Sequence, residues 1–410
     1  MQSDNKIFRL EGVIQHYAWG GKHFIPALLH RSNQEAKPFA EYWLGAHDSA
    51  PAVVDVPGRG KQKLNTLIQE DPGYVLGKDV SERFGRLPYL LKILDVADML
   101  SIQVHPEKKS AKEAFEAENE KRIPLDDPGR NYKDANHKPE LMVALSDFWL
   151  LHGFKPKEKL LSMLNEVPEL TFLADIFNDQ GYRGLYKTVM DMTQDAVNNA
   201  LQPLLARLVP LYQQEKLSKE REDFWAARAA LSFNSGNNID RGIFSIYFFN
   251  LVYCRNGEAV FQDAGIPHAY LQGQNVEIMA NSDNVLRGGL TSKHIDVGEL
   301  MKHIKFEGTR PALIQHKKRG NTEEVFETPA ADFELSYFKL HDKVVSSLTT
   351  ATAEVFFVEK GSVNIKGQTN QLTLAAGEAA IVFSDTQIQL SSAEESQLFR
   401  ATVPAPLVTE

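Results

Sequence analysis

The 410-residue chain has a single cysteine, Cys254. No intramolecular disulfide can form, and a reducing compartment is the expectation. Long apolar runs are missing too: the most apolar stretch, "IFSIYFFNLVYC" (243–254), carries Ser and Asn and falls short of the ~20 residues that span a bilayer. The N-terminus, "MQSDNKIFRLEGVIQ", lacks the apolar segment of a signal peptide, so a soluble, cytoplasmic protein is expected. Positive charge is in deficit: 45 Lys and Arg against 54 Asp and Glu give a net charge of −9, which argues against a nucleic-acid-binding surface. There is no P-loop, no G-x-G-x-x-G after a strand and no G-x-S-x-G, so nucleotide-handling and serine-hydrolase readings lose support. What is present is ordinary globular composition, 43% hydrophobic and 24% charged, in a chain long enough for two or three domains.

The texture changes along the chain. To about residue 150, "PAVVDVPGRGK" and "LPYLLKILD" read as strands beside Gly and Pro punctuation. "SAKEAFEAENEKR" reads as a helix opened by a capping box of Ser110 and Glu113. From Lys155 to Leu231 the pattern is helical, with Val197, Leu201, Leu204, Leu205 and Leu208 as a core stripe and Pro203 expected to start a helix. After "NSGNNIDRG" the chain returns to β character. In the last eighty residues Val363 and Ile365, then Leu372 and Leu374, alternate with polar residues around Gly361, Gly367 and Gly377. That predicts a small antiparallel sandwich or barrel. Its one histidine, His341, predicts no metal site there.

Four segments place polar residues where β-structure would otherwise be apolar. In "LSIQVHPEKKS" a strand would put Ser101, Gln103 and His105 on one face and Ile102 and Val104 on the other. In "NHKPELMVAL", Pro139 biases Lys138 to extended geometry, and Glu140, Met142 and Ala144 would share a strand face. "DAGIPHAYLQG" leads from a turn to His268 and Tyr270. "VEIMANSDNVLRGGL" carries Glu277, Asp283 and Arg287, the last in a Gly-flanked loop that backbone or ligand can approach closely. Two imidazoles, a carboxylate and an amide oxygen suit a borderline divalent ion, Zn²⁺ first and Mn²⁺ or Fe²⁺ next, but not Ca²⁺. Spacing alone does not select this over a wet sheet face and surface histidines. Lys92 is a charge inside an apolar run; a lysine snorkelling from an edge strand accounts for it equally well.

Taken together and in order, "YAWGGK", "GAHDSAP", "LSIQVHP", "NYKDANHKPEL", "PHAYLQG" and "EIMANSDNVLRGGLTSKHID" resemble the signature blocks of the type I phosphomannose isomerases of the cupin superfamily. The resemblance implies a mainly β fold with an inserted helical domain. A cupin-type β-barrel (jelly roll) would hold the metal in residues 1–150 and 240–315. The helical domain would take 151–239, and a second, metal-free cupin-like β-domain 316–410. It implies one Zn²⁺ per chain held by Gln103, His105, Glu140 and His268, with Mn²⁺ or Fe²⁺ as possible substitutes and no organic cofactor. The implied reaction is reversible isomerisation of mannose 6-phosphate and fructose 6-phosphate, an entry to GDP-mannose precursors. A phosphosugar is the implied partner, with neither nucleic acid nor membrane, and a monomer is compatible with the sequence.

Such a reaction opens the ring, moves a proton between C2 and C1 and stabilises an enediol(ate), which calls for an acid/base pair and positive charge at the oxyanion. By resemblance His137 and Lys138 are the candidates for ring opening and proton transfer, with Arg287 at the oxyanion or phosphate. Lys92 and Ser101 are phosphate or substrate contacts, and Tyr270, Glu277 and Asp283 line the pocket. A lysine base would need its pKa well below the usual ~10.4, and the sequence does not identify the base. Three alternatives remain at this point: an isomerase of another aldose, a cupin oxygenase with an iron facial triad, and a non-catalytic sugar-phosphate-binding cupin.

Overall fold

Residues 5–405 are described by a computed structural model. The strand Tyr89–Val96 is buried at all its positions, so both of its faces are covered. Tyr89, Leu91 and Ile93 pack in one cluster with Tyr42, Leu44, Leu141, Val143, Val276 and Ile278 of neighbouring strands. Leu90 and Leu94 fall in other clusters, with Trp43 and Met279 and with Met142 and Val260. Alternation puts Lys92 on this second, inner face.

That strand belongs to an antiparallel ten-stranded sheet with two halves. One half runs Val13–Gln15, Glu41–Gly45, Tyr89–Val96, His268–Ala280, Glu140–Ala144, Ala259–Gln262. The other runs Phe249–Cys254, Phe148–Phe154, His268–Ala280, Ile102–Val104, Leu286–Gly289. The strand His268–Ala280 serves both: its first residues pair in the second half, and from Gly273 onward it pairs in the first. It turns the corner at Gly273, where φ is +130° and a Cβ would lie 2.6 Å from the Phe148 ring and 2.7 Å from the Asp147 carbonyl oxygen. Only glycine fits there. The halves face each other across Leu94, Met142 and Val260 on one side and Leu150, Val252 and Tyr270 on the other. Among the described residues no pairing closes the sheet into a ring.

Further layers cover both outer faces. The helices Lys157–Glu166, Phe172–Asp191, Gln194–Gln213 and Glu222–Phe233 share a core with Ile102, Val104, Leu151, Ala269 and Leu271. On the other side lies a nine-stranded sheet that packs Leu335, Val355, Phe357 and Ile381 against the first half. Its order is Lys317–Arg319, Glu323–Phe326, Glu334–Leu340, Ser396–Thr402, Glu354–Lys360, Ala379–Val382, Ile7–Glu11, Val53–Val56, Gly60–Lys63. The N-terminal strand thus pairs directly with a C-terminal one, Ile7 opposite Val382. The far face of this sheet packs on a four-stranded sheet, Val345–Thr349, Gln387–Ser391, Ser362–Lys366 and Gln371–Ala375. There Val363, Ile365 and Leu374 are buried and Leu372 half-buried, as their alternation predicts.

Three local expectations are corrected. Pro203 does not start a helix; it lies with Pro210 inside Gln194–Gln213. An interior proline costs about 3 kcal/mol. The fully buried Leu201, Leu204 and Leu208 around it offset that at roughly 1.5–3 kcal/mol each. Ser110 is not a cap. The helix Lys108–Glu120 starts two residues earlier, with Glu107 at its N-cap and no side-chain cap bond. Pro106 cannot donate to a ladder, so the chain leaves the strand at once and Ser110 falls inside the first turn. Finally, 243–254 is not all β. It divides into the end of the helix Gly242–Phe248 and the strand Phe249–Cys254, because a continuously apolar run carries no period to separate the two. No helix among the described residues is long and apolar enough to cross a membrane.

Candidate metal centre and active site

The site lies between the two halves of the ten-stranded sheet. Gln103 sits in the short strand Ile102–Val104 and pairs directly with His268, so both project from the same face. His105 follows the end of that strand and is fully buried. Glu140 opens the strand Glu140–Ala144 in the opposite half. One ligand atom each from His105, Glu140 and His268 lies within 4.8 Å of the others. His105 Nε2 is 3.4 Å from Glu140 Oε1, and His268 Nε2 is 3.3 Å from Oε2.

The orientation of the two imidazoles is fixed from behind. His105 Nδ1 donates to the Asn284 carbonyl at 2.8 Å and His268 Nδ1 to the Ile266 carbonyl at 2.9 Å. A carbonyl only accepts, so each proton is on Nδ1 and each Nε2 turns its lone pair toward Glu140. Both Nε2 atoms are buried without a hydrogen-bond partner. At 3.3–3.4 Å the carboxylate lies close to both, but it does not satisfy them, being an acceptor facing acceptors. Burial holds the His105 ring neutral, with its pKa lowered to about 4 against the pull of Glu140. Burial alone would raise the Glu140 carboxyl, but the Lys138 ammonium beside it holds it well below the usual range. Lone pairs converging on a buried carboxylate are the arrangement a divalent cation completes.

The other predicted residues differ in how they connect to this centre: Lys138 touches Glu140, and Lys92, Tyr270 and Glu277 feel its charge. Lys138 Nζ is 3.1 Å from Glu140 Oε1. His137, just before it, bonds through Nε2 to Asp332 Oδ2 at 2.8 Å. Lys92 is a buried inner-face lysine, not a snorkelling edge residue, 3.2 Å from Glu277 and 3.5 Å from Glu41. Burial would lower its pKa, but the two carboxylates raise it and keep the ammonium charged. Glu277 accepts from Tyr270 Oη at 2.7 Å. Burial and the nearby Glu140 raise the Glu277 pKa, and burial and Glu277 push the Tyr270 phenol well above its ordinary value. Arg287 is on the short strand Leu286–Gly289, not in a loop, and pairs with Gln103 from the side away from His268. Burial lowers its pKa, and among the described residues it has no ion pair. Asp283 is half-exposed, 3.3 Å from His47 Nε2; burial raises its pKa, but His47 outweighs this and holds it low. Ser101 is half-buried just before the strand that carries Gln103.

Several contributors were not singled out from sequence. Glu41 accepts from the Trp43 indole and faces Lys92. Asn284 and Asp134 tie the 133–136 segment to the loop that anchors His105. His152 pairs in register with His268, is buried, and has no partner on either ring nitrogen among the described residues. Burial and the neighbouring His268 lower its pKa to about 3. Asp332 comes from a distant part of the chain. The only sequence signal for Glu41 and His152 was a polar residue within an apolar strand; Asn284 and Asp332 lay in loops without one. A separate cleft of about 780 Å³, lined among others by Lys22, Asp95, Trp149 and Tyr253, shares none of these residues. Convergence of donors, not cavity size, locates the site.

The fold and the donor set together define a β-sheet protein with an internal divalent-metal site flanked by acid/base groups. Residues 7–157 match the family described as phosphomannose isomerase type I, catalytic domain. The mannose-6-phosphate isomerase of Escherichia coli (strain K12) is 36% identical over 381 residues, covering 91% of this chain and 94% of that protein. The Homo sapiens enzyme of the same name is 31% identical over 433 residues, covering 97% and 98%. A crystal structure of mannose 6-phosphate isomerase from Salmonella typhimurium, bound to fructose 6-phosphate and zinc, superposes with a TM-score of 0.88 at 33% identity, covering 98% and 100% of the two chains. The chain belongs to the type I phosphomannose isomerase family.

Proposed function

We propose that this chain reversibly interconverts D-mannose 6-phosphate and D-fructose 6-phosphate, with one zinc ion held by Gln103, His105, Glu140 and His268. The observation that carries the reading is the convergence of two Nε2 lone pairs, each fixed by a backbone carbonyl, on the buried Glu140 beside the Lys138 ammonium. Neutral imidazoles, a carboxylate and an amide oxygen suit Zn²⁺, with Mn²⁺ or Fe²⁺ as substitutes. When bound, zinc supplies Lewis acidity and orients the sugar oxygens.

The chain's own residues account for the rest. His137 and Lys138, on the segment leading into Glu140, serve ring opening and the C2–C1 proton transfer through a cis-enediol(ate). Arg287, a half-buried guanidinium without a carboxylate partner, is suited to the developing oxyanion or the phosphate. Lys92 is already shared by Glu41 and Glu277, so it serves sugar hydroxyls better than a phosphate dianion. Tyr270 and Glu277 form one hydrogen-bonded unit with it, and Ser101 and Asp283 complete the substrate contacts. We read the ten-stranded unit as a cupin-type jelly roll drawn from 1–150 and 240–315. It leaves out Ile7–Glu11, Val53–Val56 and Gly60–Lys63, which join the nine-stranded sheet, and Phe148–Phe154 carries it to 154 before its helical insertion begins. Residues 316–410 form a second cupin-like domain, completed by the N-terminal strands. Purified protein supplied with mannose 6-phosphate should form fructose 6-phosphate, lose that activity to EDTA and regain it with Zn²⁺. Folded, metal-loaded protein without turnover would refute the reading.

A further inference from the structure

His137 lies on a segment with no regular secondary structure, immediately before Lys138 and close in sequence to Glu140. Left alone, its ring would sample rotamers and both tautomers. It is held by Asp332, only 2% exposed, from the loop between the strands Glu323–Phe326 and Glu334–Leu340 of the nine-stranded sheet. Asp332 Oδ2 is 2.8 Å from His137 Nε2, and Asp332 Oδ1 is buried without a hydrogen-bond partner among the described residues. A carboxylate buried with one oxygen unsatisfied is a poor device for stability, because desolvation is only partly repaid. It is a good device for fixing a ring, since an ionised carboxylate only accepts and so places the proton on Nε2.

We propose that Asp332 is a positioning residue for the isomerisation, locking His137 in the Nε2–H tautomer so that Nδ1 is the nitrogen that handles the sugar proton during ring opening. The inference rests on the reading of His137 given above. In the step it supports, the O1–H proton of the pyranose passes to Nδ1 as C1=O1 forms and the C1–O5 bond breaks. The imidazolium then returns that proton to O5, so no proton is gained or lost overall. Asp332 stabilises the transient imidazolium without itself taking the proton. The nine-stranded sheet is then part of the active site and not only a support.

The test is a cycle of Asp332→Asn, His137→Ala and the double variant, each zinc-loaded and assayed on mannose 6-phosphate, with zinc content and melting temperature measured alongside. Asp332→Asn is expected to lower kcat by about 10- to 100-fold with little change in KM, and to have no further effect in the His137→Ala background. Losses that multiply in the double variant would overturn the inference, because Asp332 would then act by some route other than His137. A slow His137→Ala enzyme beside a wild-type-like Asp332→Asn enzyme would overturn the Asp332 inference alone. Normal kcat in His137→Ala would overturn the reading of His137 and this inference with it. Should Asp332→Asn fail to fold, ¹⁵N NMR of the histidine rings in the wild-type protein, assigned by the signals lost in His137→Ala, still decides: Nε2–H supports the proposal and Nδ1–H overturns it.

Discussion

Asn284 shows how much of the site depends on one residue, through both its backbone and its side chain. Its carbonyl receives His105 Nδ1–H. Its amide nitrogen donates to the carbonyls of Asp134 and Asn136 at 2.7 and 2.8 Å, and its amide oxygen accepts from Lys133 N at 2.8 Å. The His105 ring and the segment leading to His137, Lys138 and Glu140 are therefore held by the same residue. Asn284→Ala should strand these loop groups and weaken zinc binding by about 10- to 100-fold, measured by competition with a chromogenic chelator. Unchanged affinity would show that the backbone carbonyl suffices alone. At this scale the sequence was readable where polar residues interrupt a short β pattern: His105, Glu140 and His268 converge, and Gln103 pairs with His268. Asn284 lay unremarked inside another block, "EIMANSDNVLRGGLTSKHID", since an amide in a loop has no meaning until the loop it bonds, 151 residues away, is placed beside it. The same holds for Asp332, which is 195 residues from His137.

Among the elements, the strand His268–Ala280 decides the geometry. Its two ends pair in different halves of the sheet, and the change of direction at Gly273 is what brings His268 opposite Glu140. Gly273→Ala must fit a Cβ within 2.7 Å of the Asp147 carbonyl oxygen at a φ that L residues rarely adopt. A loss of about 1–3 kcal/mol in the midpoint-derived stability to urea is expected, with zinc affinity reduced as the corner opens. A variant as stable as the parent would place the bend's origin elsewhere. The β-alternation of Val363, Ile365, Leu372 and Leu374 was legible because one face is buried and the other is not. The start of Lys108–Glu120 and the passage of a helix through Pro203 were not. Both depend on what precedes or covers the segment, and a local capping or proline rule does not contain that information.

For the whole molecule, the stacking of helices, two half-sheets and two further sheets explains why strands such as Tyr89–Val96 read as apolar runs interrupted only by Lys92 and Asp95. Both faces are interior, and Lys92 lies on the one that carries Glu277. The lone thiol reports on that interior. Cys254 is fully buried in the cluster beneath the site, and burial, then Glu258, pushes its pKa up to about 12. With the folded value above the unfolded one, its protonated form favours the native state below about pH 9, and that advantage fades as pH rises toward 12. Folded protein at pH 7.5 should not react with a thiol-specific disulfide reagent, and one equivalent should react on unfolding; prompt labelling of native protein would contradict the burial. The long stretch of helices between Glu140 and His268 has a consequence in time as well as in space. A ribosome that has released residues 1–267 has made two of the three converging donors, and the third emerges only after the helical segment is complete. Metal capture by all three donors therefore waits until His268, roughly two-thirds of the way along the 410-residue chain, has emerged.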